Sequence, residues 1–148
     1  MTSPRHGRLD RLSAAPGALF VYGTLRFPEI WDALIGRAPD RSPAVAEGWR
    51  AAALPGLIYP GLVPHPEGSA AGLFVSGLTA GEWRVVDIFE NDLYELRRLR
   101  LADGRRAWAY VCAPTVEVCP HDWSADEFAD RHLAAYVPQC IAWRRSRP

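Results

Sequence analysis

The chain has 148 residues, of which 49% are hydrophobic and 23% charged, the proportions of one soluble domain long enough to bury a core. Its 17 basic and 17 acidic residues cancel, so the total points to neither a nucleic-acid nor an acidic partner. All of the basic residues are arginine, which excludes a lysine Schiff base and a P-loop lysine.

Residues 1–16 are polar with Pro, Gly and Ser, and predict a flexible N-terminal tail. Arginines at 5, 8 and 11 are followed by no apolar run, so the segment reads as neither signal peptide nor membrane anchor. No apolar run approaches the roughly 20 residues of a spanning helix. One domain is predicted over 17–141, with a short tail over 142–148. It opens on a strand, Ala18 to Val21. Tyr22-Gly23-Thr24 breaks that strand, and a helix runs from Pro28 to about Ile35, with proline in its first turn and Gly36 as its stop. Glycine between strand and helix leaves main-chain N–H groups uncrowded, ready for a carboxylate or phosphate. An ordinary tight turn is the other reading of the same residues.

Ala44 to Ala53 predicts a strand anchored by Trp49. Leu54 to Pro66 holds four prolines and two glycines and predicts a constrained loop. Another short strand covers Ala70 to Ser76. Thr79 and Glu82 form a capping box that opens a helix to about Asn91. Tyr94–Leu101 and Arg106–Ala113 read as a hairpin turned at Asp103-Gly104. Ser124 and Glu127 form a second capping box for a C-terminal helix from about 124, which Pro138 should kink or end. Short strands with two or three helices and no regular alternation predict an α+β fold.

Three cysteines, Cys112, Cys119 and Cys140, make an odd count. This argues against a disulfide framework and for a reducing, cytoplasmic setting. Their spacing with His121 and His132 matches no zinc pattern, so no metal is expected.

Glu90 stands out chemically. On a helix from Thr79, the residues Trp83, Val86, Glu90 and Leu93 share one face. A glutamate in that apolar stripe is desolvated, which raises its pKa toward that of a base or acid working near neutrality. Pairing with Arg97 or Arg98, or a swing to water, is the structural alternative. Asp87, one turn earlier, reads as a hydrogen-bonding residue. His65, in the proline-rich loop, is the histidine that could come near such a site, and a satisfied or exposed side chain is the commoner fate of such a residue.

Several runs together resemble the gamma-glutamylcyclotransferase-like family, in its gamma-glutamylamine cyclotransferase and avirulence-induced-protein branch. They are Leu19-Phe20-Val21-Tyr22-Gly23-Thr24-Leu25-Arg26, Tyr59-Pro60-Gly61-Leu62-Val63-Pro64, Gly72, Asp87-Ile88-Phe89-Glu90, Tyr94 and Ala107-Trp108-Ala109-Tyr110-Val111. The likeness covers about residues 18 to 114. It implies a small mixed or antiparallel β-barrel with flanking helices and a pocket at one mouth. It implies a γ-glutamyl amide as substrate, whose α-amine attacks its own γ-carbonyl to release 5-oxoproline and an amine or amino acid. No cofactor or metal is implied, because the nucleophile is tethered to its target. Glu90 is then the general acid/base. Tyr22, Gly23, Thr24 and Leu25 hold the glutamyl carboxylate, and Tyr94 and Tyr110 complete the substrate-binding wall. No nucleic-acid or membrane partner is implied, and the leaving group and oligomeric state stay open. So does a non-catalytic small-molecule binding module on the same fold. The chain departs from the family's pattern at Leu96, usually arginine, at Asn91, usually glycine, and at Val86, usually leucine.

Overall fold

The computed structural model describes residues 8, 9 and 16–147. The tail expectation over 1–16 falls largely outside the described residues. The strands are β1 (Leu19–Val21), β2 (Asp40–Ala53), β3 (Pro60–Ser76), β4 (Tyr94–Arg100) and β5 (Arg106–Cys112). The helices that follow β1 are α1 (Pro28–Ile35), α2 (Ala80–Phe89), α3 (Ala125–Arg131) and α4 (Leu133–Arg145), with a 3-10 turn at Thr24–Arg26. The five strands form one mixed sheet in the order β2-β3-β1-β5-β4. β1 runs antiparallel to β3, with Phe20 opposite Phe74, and parallel to β5, with Leu19 opposite Trp108. Beyond the end of β1, β3 and β5 pair directly at Leu62 and Val111.

The α+β architecture is as the sequence predicts, but the barrel is not closed. β2 and β4 remain edge strands, and no ladder joins them among the described residues. The sheet curls until one corner meets: Ala102 N–H donates to Val45 O at 2.9 Å, and Arg105 donates to Ser42 Oγ at 2.8 Å and Pro43 O at 3.0 Å. Small residues inside the curl permit it. Ala44, Ala46, Ala70, Ala107 and Ala109 are buried there with Phe20, Leu62 and Val111. The opposite face carries the larger core, where Trp31, Trp83 and Phe128 are buried against the helices.

Local signals place several elements where the sequence predicts them. α1 starts on Pro28 and stops at Gly36, whose φ of 77° a residue with a Cβ resists. α2 has the reciprocal capping box: Glu82 N–H donates to Thr79 Oγ1 at 3.1 Å, and Thr79 N–H to Glu82 Oε1 at 3.0 Å. Three readings change. The proline-rich stretch is a loop only as far as Tyr59; Pro60 to Pro64 is strand, in register with β2, and residues 65–68 bulge out opposite Gly48. The C-terminal helix breaks at His132 and continues through Pro138. α4 reaches Arg145, past the predicted limit at 141, and Trp143 packs edge-on against Phe89 at 5.3 Å.

Gly72 marks the tightest approach in the sheet. A Cβ there lies 2.2 Å from Val21 O and 2.9 Å from the Phe20 ring. Gly72→Ala therefore forces β1 away from β3 and costs about 1–3 kcal/mol or more of stability. Gly81→Ala, in the first turn of α2 with no atom nearer than 3.9 Å, gains up to about 1 kcal/mol. Urea unfolding of the two variants should show opposite signs. Equal effects refute the close-approach account.

Candidate active site

A cavity of about 340 Å³ opens where β1 leaves the sheet. Every residue singled out in the sequence as catalytic or substrate-binding lines it: Glu90, Tyr22, Gly23, Thr24, Leu25, Tyr94 and Tyr110.

The Tyr22–Leu25 segment lies just past the last β1 ladder residue, and the 3-10 turn closes through Arg26 N–H to Gly23 O at 3.0 Å and Phe27 N–H to Thr24 O at 3.2 Å. Among the described residues, no hydrogen bond engages the N–H groups of Gly23, Thr24 or Leu25. Gly23 packs on the Pro60 ring, which a Cβ at this position would meet at 2.9 Å. Trp31 Nε1 donates to Leu25 O at 2.6 Å and pins the far side of the turn to α1.

Three phenols frame the cavity with their hydroxyls committed. Tyr22 OH donates to Tyr110 O, Tyr94 OH to Pro60 O at 2.6 Å, and Tyr110 OH to Asp87 Oδ1 at 2.9 Å. Burial first, and nearby anionic groups after it, push all three well above the ordinary tyrosine range, so they stay protonated donors.

Glu90 reaches the cavity by a different route from the one the sequence suggests. α2 ends at Phe89, and Glu90 is its cap, with extended backbone at φ −70° and ψ 128°. Its N–H still closes the helix on Val86 O at 2.9 Å. Trp83 and Val86 do form the buried stripe, but Glu90 leaves the helix and turns into the cavity wall. It is half-buried. Burial raises its carboxyl to about 7, Arg8 opposes that shift, and Asp87 adds to it.

Asp87 is 2% exposed and takes a hydrogen bond from Tyr110 and an ion pair from Arg8 Nε at 3.1 Å. Asn91 fixes the turn after Glu90, accepting from Leu93 N–H at 2.9 Å and donating to Tyr59 OH at 3.0 Å. Leu96 stands opposite Tyr110 in the β4–β5 ladder. Arg97 lies over Trp49 rather than beside Glu90. His65 is not part of the cavity. Among the described residues, no group of three or more His, Cys, Asp or Glu is arranged to hold a metal, and no helix is long and apolar enough to cross a membrane.

The sequence reading missed one wall. Tyr136, Gln139, Cys140 and Trp143 line the cavity from α4. Their i, i+3, i+4, i+7 spacing is the signal that marks one helix face. Arg8 was also missed, since an isolated arginine in a polar segment has no pattern to reveal it.

Comparison with known proteins matches residues 19–128 to the family described as gamma-glutamyl cyclotransferase, AIG2-like. AIG2-like protein C of Arabidopsis thaliana is 35% identical over 83 residues, 56% of this chain and 48% of that protein. The chain thus spans about half the length of this relative. AIG2-like protein D of Arabidopsis thaliana is 27% identical over 130 residues, 81% of this chain and 84% of the relative. An Arabidopsis thaliana protein solved in solution superposes with a TM-score of 0.64 at 22% identity, covering 92% of this chain and 99% of the other. A structure described as gamma-glutamyl cyclotransferase gives a TM-score of 0.60 at 13% identity, covering 85% and 86%. These two share the fold.

Raising the Glu90 carboxyl to about 7 from the usual 4.5 has a thermodynamic sign. The folded chain binds this proton more tightly than the unfolded chain, so stability falls as pH rises from about 4.5 to about 7. At ~1.4 kcal/mol per pKa unit, the loss is up to roughly 3 kcal/mol. Glu90→Gln removes it. Urea midpoints at pH 5 and pH 8 should therefore fall more in the native chain than in the variant, and parallel falls contradict the shift.

Proposed function

This chain belongs to the gamma-glutamyl cyclotransferase, AIG2-like family, and from that membership we propose that it cyclises γ-glutamyl amides to 5-oxoproline, with Glu90 as general acid/base. The observation that carries the reading is the meeting of Glu90, raised to about 7, with the unengaged main-chain donors of Gly23 to Leu25 around one cavity.

The substrate brings its own nucleophile, so the site has to fold it, hold it and move protons. The donors of Gly23, Thr24 and Leu25 bind the glutamyl α-carboxylate, and those facing the γ-carbonyl stabilise the oxyanion. Glu90, as carboxylate, takes a proton from the α-ammonium. The freed amine attacks the γ-carbonyl carbon and forms the ring C–N bond. Glu90 then returns its proton to the leaving nitrogen as the old C–N bond breaks. The surplus proton on the ring nitrogen passes to the expelled amine. A carboxyl near 7 suits both halves of this exchange. Tyr94 and Tyr110 shape the wall, and in this reading the leaving group lies toward the α4 residues Tyr136, Gln139 and Trp143, which line the same cavity.

A non-catalytic binding module on the same fold is the competing reading. It is favoured by a plugged cavity, yet Trp49 lies outside the lining, and Tyr59 and Pro60 line the space.

Mass-spectrometric detection of 5-oxoproline across a panel of γ-glutamyl dipeptides and γ-glutamyl amines tests the assignment. The native chain should turn over at least one panel member. Glu90→Gln keeps the shape, removes the base and should lower kcat by about 10²–10⁴-fold with KM little changed. Turnover that survives the substitution refutes the role of Glu90. Binding of panel members without any turnover favours the binding module.

A further inference from the structure

We propose that Arg8 is a positioning residue for Glu90, locking the turn that carries the candidate base and setting a cation against the carboxylates of that turn. Arg8 lies outside the residues matched to the family.

The geometry is that of a clamp. α2 ends at Phe89 and β4 starts at Tyr94, so the last carbonyls of α2 run out of helical donors, and in the turn Asn91 O takes only the long main-chain bond from Tyr94 N–H at 3.4 Å. Arg8 Nη2 donates to Asp87 O at 2.6 Å and Glu90 O at 2.9 Å, while Nη1 donates to Asn91 O and Tyr94 O at 3.0 Å each. These four carbonyls bracket Glu90 on both sides. The guanidinium also lies 5.1 Å from the centre of the Tyr110 ring, and its side chain is 8% exposed. A cation at the C-terminal end of α2 is favoured by the helix dipole. The planar fork matters as much as the charge, because a lysine ammonium has three donors at one point and cannot span this turn.

The charged and titratable groups acting on or facing Glu90 come from several elements. Among the described residues, Asp87 on α2 is the second carboxylate and Arg8 is the cation. The phenols are Tyr22 after β1, Tyr59 before β3, Tyr94 on β4, Tyr110 on β5 and Tyr136 on α4. Burial keeps these phenols neutral. Arg8 is therefore what opposes the upward push of burial and Asp87.

Titration of the Glu90 side-chain carboxyl by carbon NMR tests this, together with the pH profile of kcat/KM. Losing the cation should move the Glu90 titration in Arg8→Ala above the native value near 7. The acidic limb of the profile should move with it, lowering kcat on that limb more than it changes KM. A folded Arg8→Ala chain with unchanged titration overturns the proposal. If Arg8→Ala does not fold, Arg8→Lys carries the test. The retained charge should hold the titration near native, while loss of the fork speeds amide exchange at Glu90, Leu93 and Tyr94. Native-like exchange in Arg8→Lys overturns the clamp. The kinetic arm rests on the acid/base role proposed for Glu90, and the titration does not. Absence of turnover across the substrate panel therefore sinks the assigned reaction and leaves the role of Arg8 to the titration.

Discussion

The central strand of the sheet, β1, is also its shortest, with three residues, and main-chain hydrogen bonding governs what happens where it ends. Every N–H and C=O buried near that point needs a partner. β3 and β5 close on each other beyond β1 through Leu62 and Val111. They approach so tightly that a Cβ on Gly61 falls 2.0 Å from Cys112 Sγ. The chain leaving β1 has no strand beside it and turns out of the sheet at Tyr22. Among the described residues, the N–H groups of Gly23, Thr24 and Leu25 then have no ladder partner, and these residues line the cavity. Tyr22 bridges the gap through its hydroxyl to Tyr110 O, and Tyr94 does the same to Pro60 O. The crevice and the free donors are two consequences of one early strand end.

The second constraint is electrostatic. Asp87 and Glu90 lie three residues apart at the end of α2, and two nearby buried carboxylates cannot share one environment at equal cost. Asp87 is enclosed and holds a phenol hydroxyl and a guanidinium. Glu90 lines the cavity, and among the described residues its carboxyl has neither contact. Burial raises it to about 7, which leaves one carboxylate structural and the other able to exchange a proton near neutrality. Tyr110 joins the two roles, since its ring wall belongs to the cavity and its hydroxyl belongs to Asp87.

Features encoded over a few residues were legible in the sequence. The Thr79 capping box, the Gly36 stop, the Asp103-Gly104 hairpin and the break at Tyr22-Gly23-Thr24 are each decided by neighbours in the chain. What was not legible depends on distant partners. Pro60 to Pro64 reads as a loop by composition and becomes strand because β2 supplies its register, with Pro64 opposite Trp49. Pro138 does not end its helix, and the break falls six residues earlier, at His132. The small residues inside the sheet favour curling, but whether β2 and β4 then join is a property of the whole sheet. The stripe argument put Glu90 on the apolar face of a helix that in fact stops one residue before it, and Glu90 lines the cavity from the cap instead. Its side chain arrives there through the extended turn that Asn91 and Arg8 hold.

The residues around the cavity divide by their place in the chain. The loop after β1, Glu90, Tyr94 and Tyr110 all lie within residues 19–128, the span matched to the family. Tyr136, Gln139, Cys140 and Trp143 lie beyond it on α4, and Arg8 lies before it. The groups proposed to act on substrate thus sit on the sheet, just past the end of β1 and at the end of α2. There the requirement to pair main-chain groups fixes their geometry. The wall on α4 is attached by side-chain packing instead, Phe128 against Phe27 and Tyr136, and Trp143 against Phe89. Packing of that kind tolerates exchange of one large apolar side chain for another far better than a ladder tolerates a lost hydrogen bond. Substitutions on the α4 wall can therefore reshape that side of the cavity while Glu90 and the Tyr22–Leu25 turn stay where the sheet puts them.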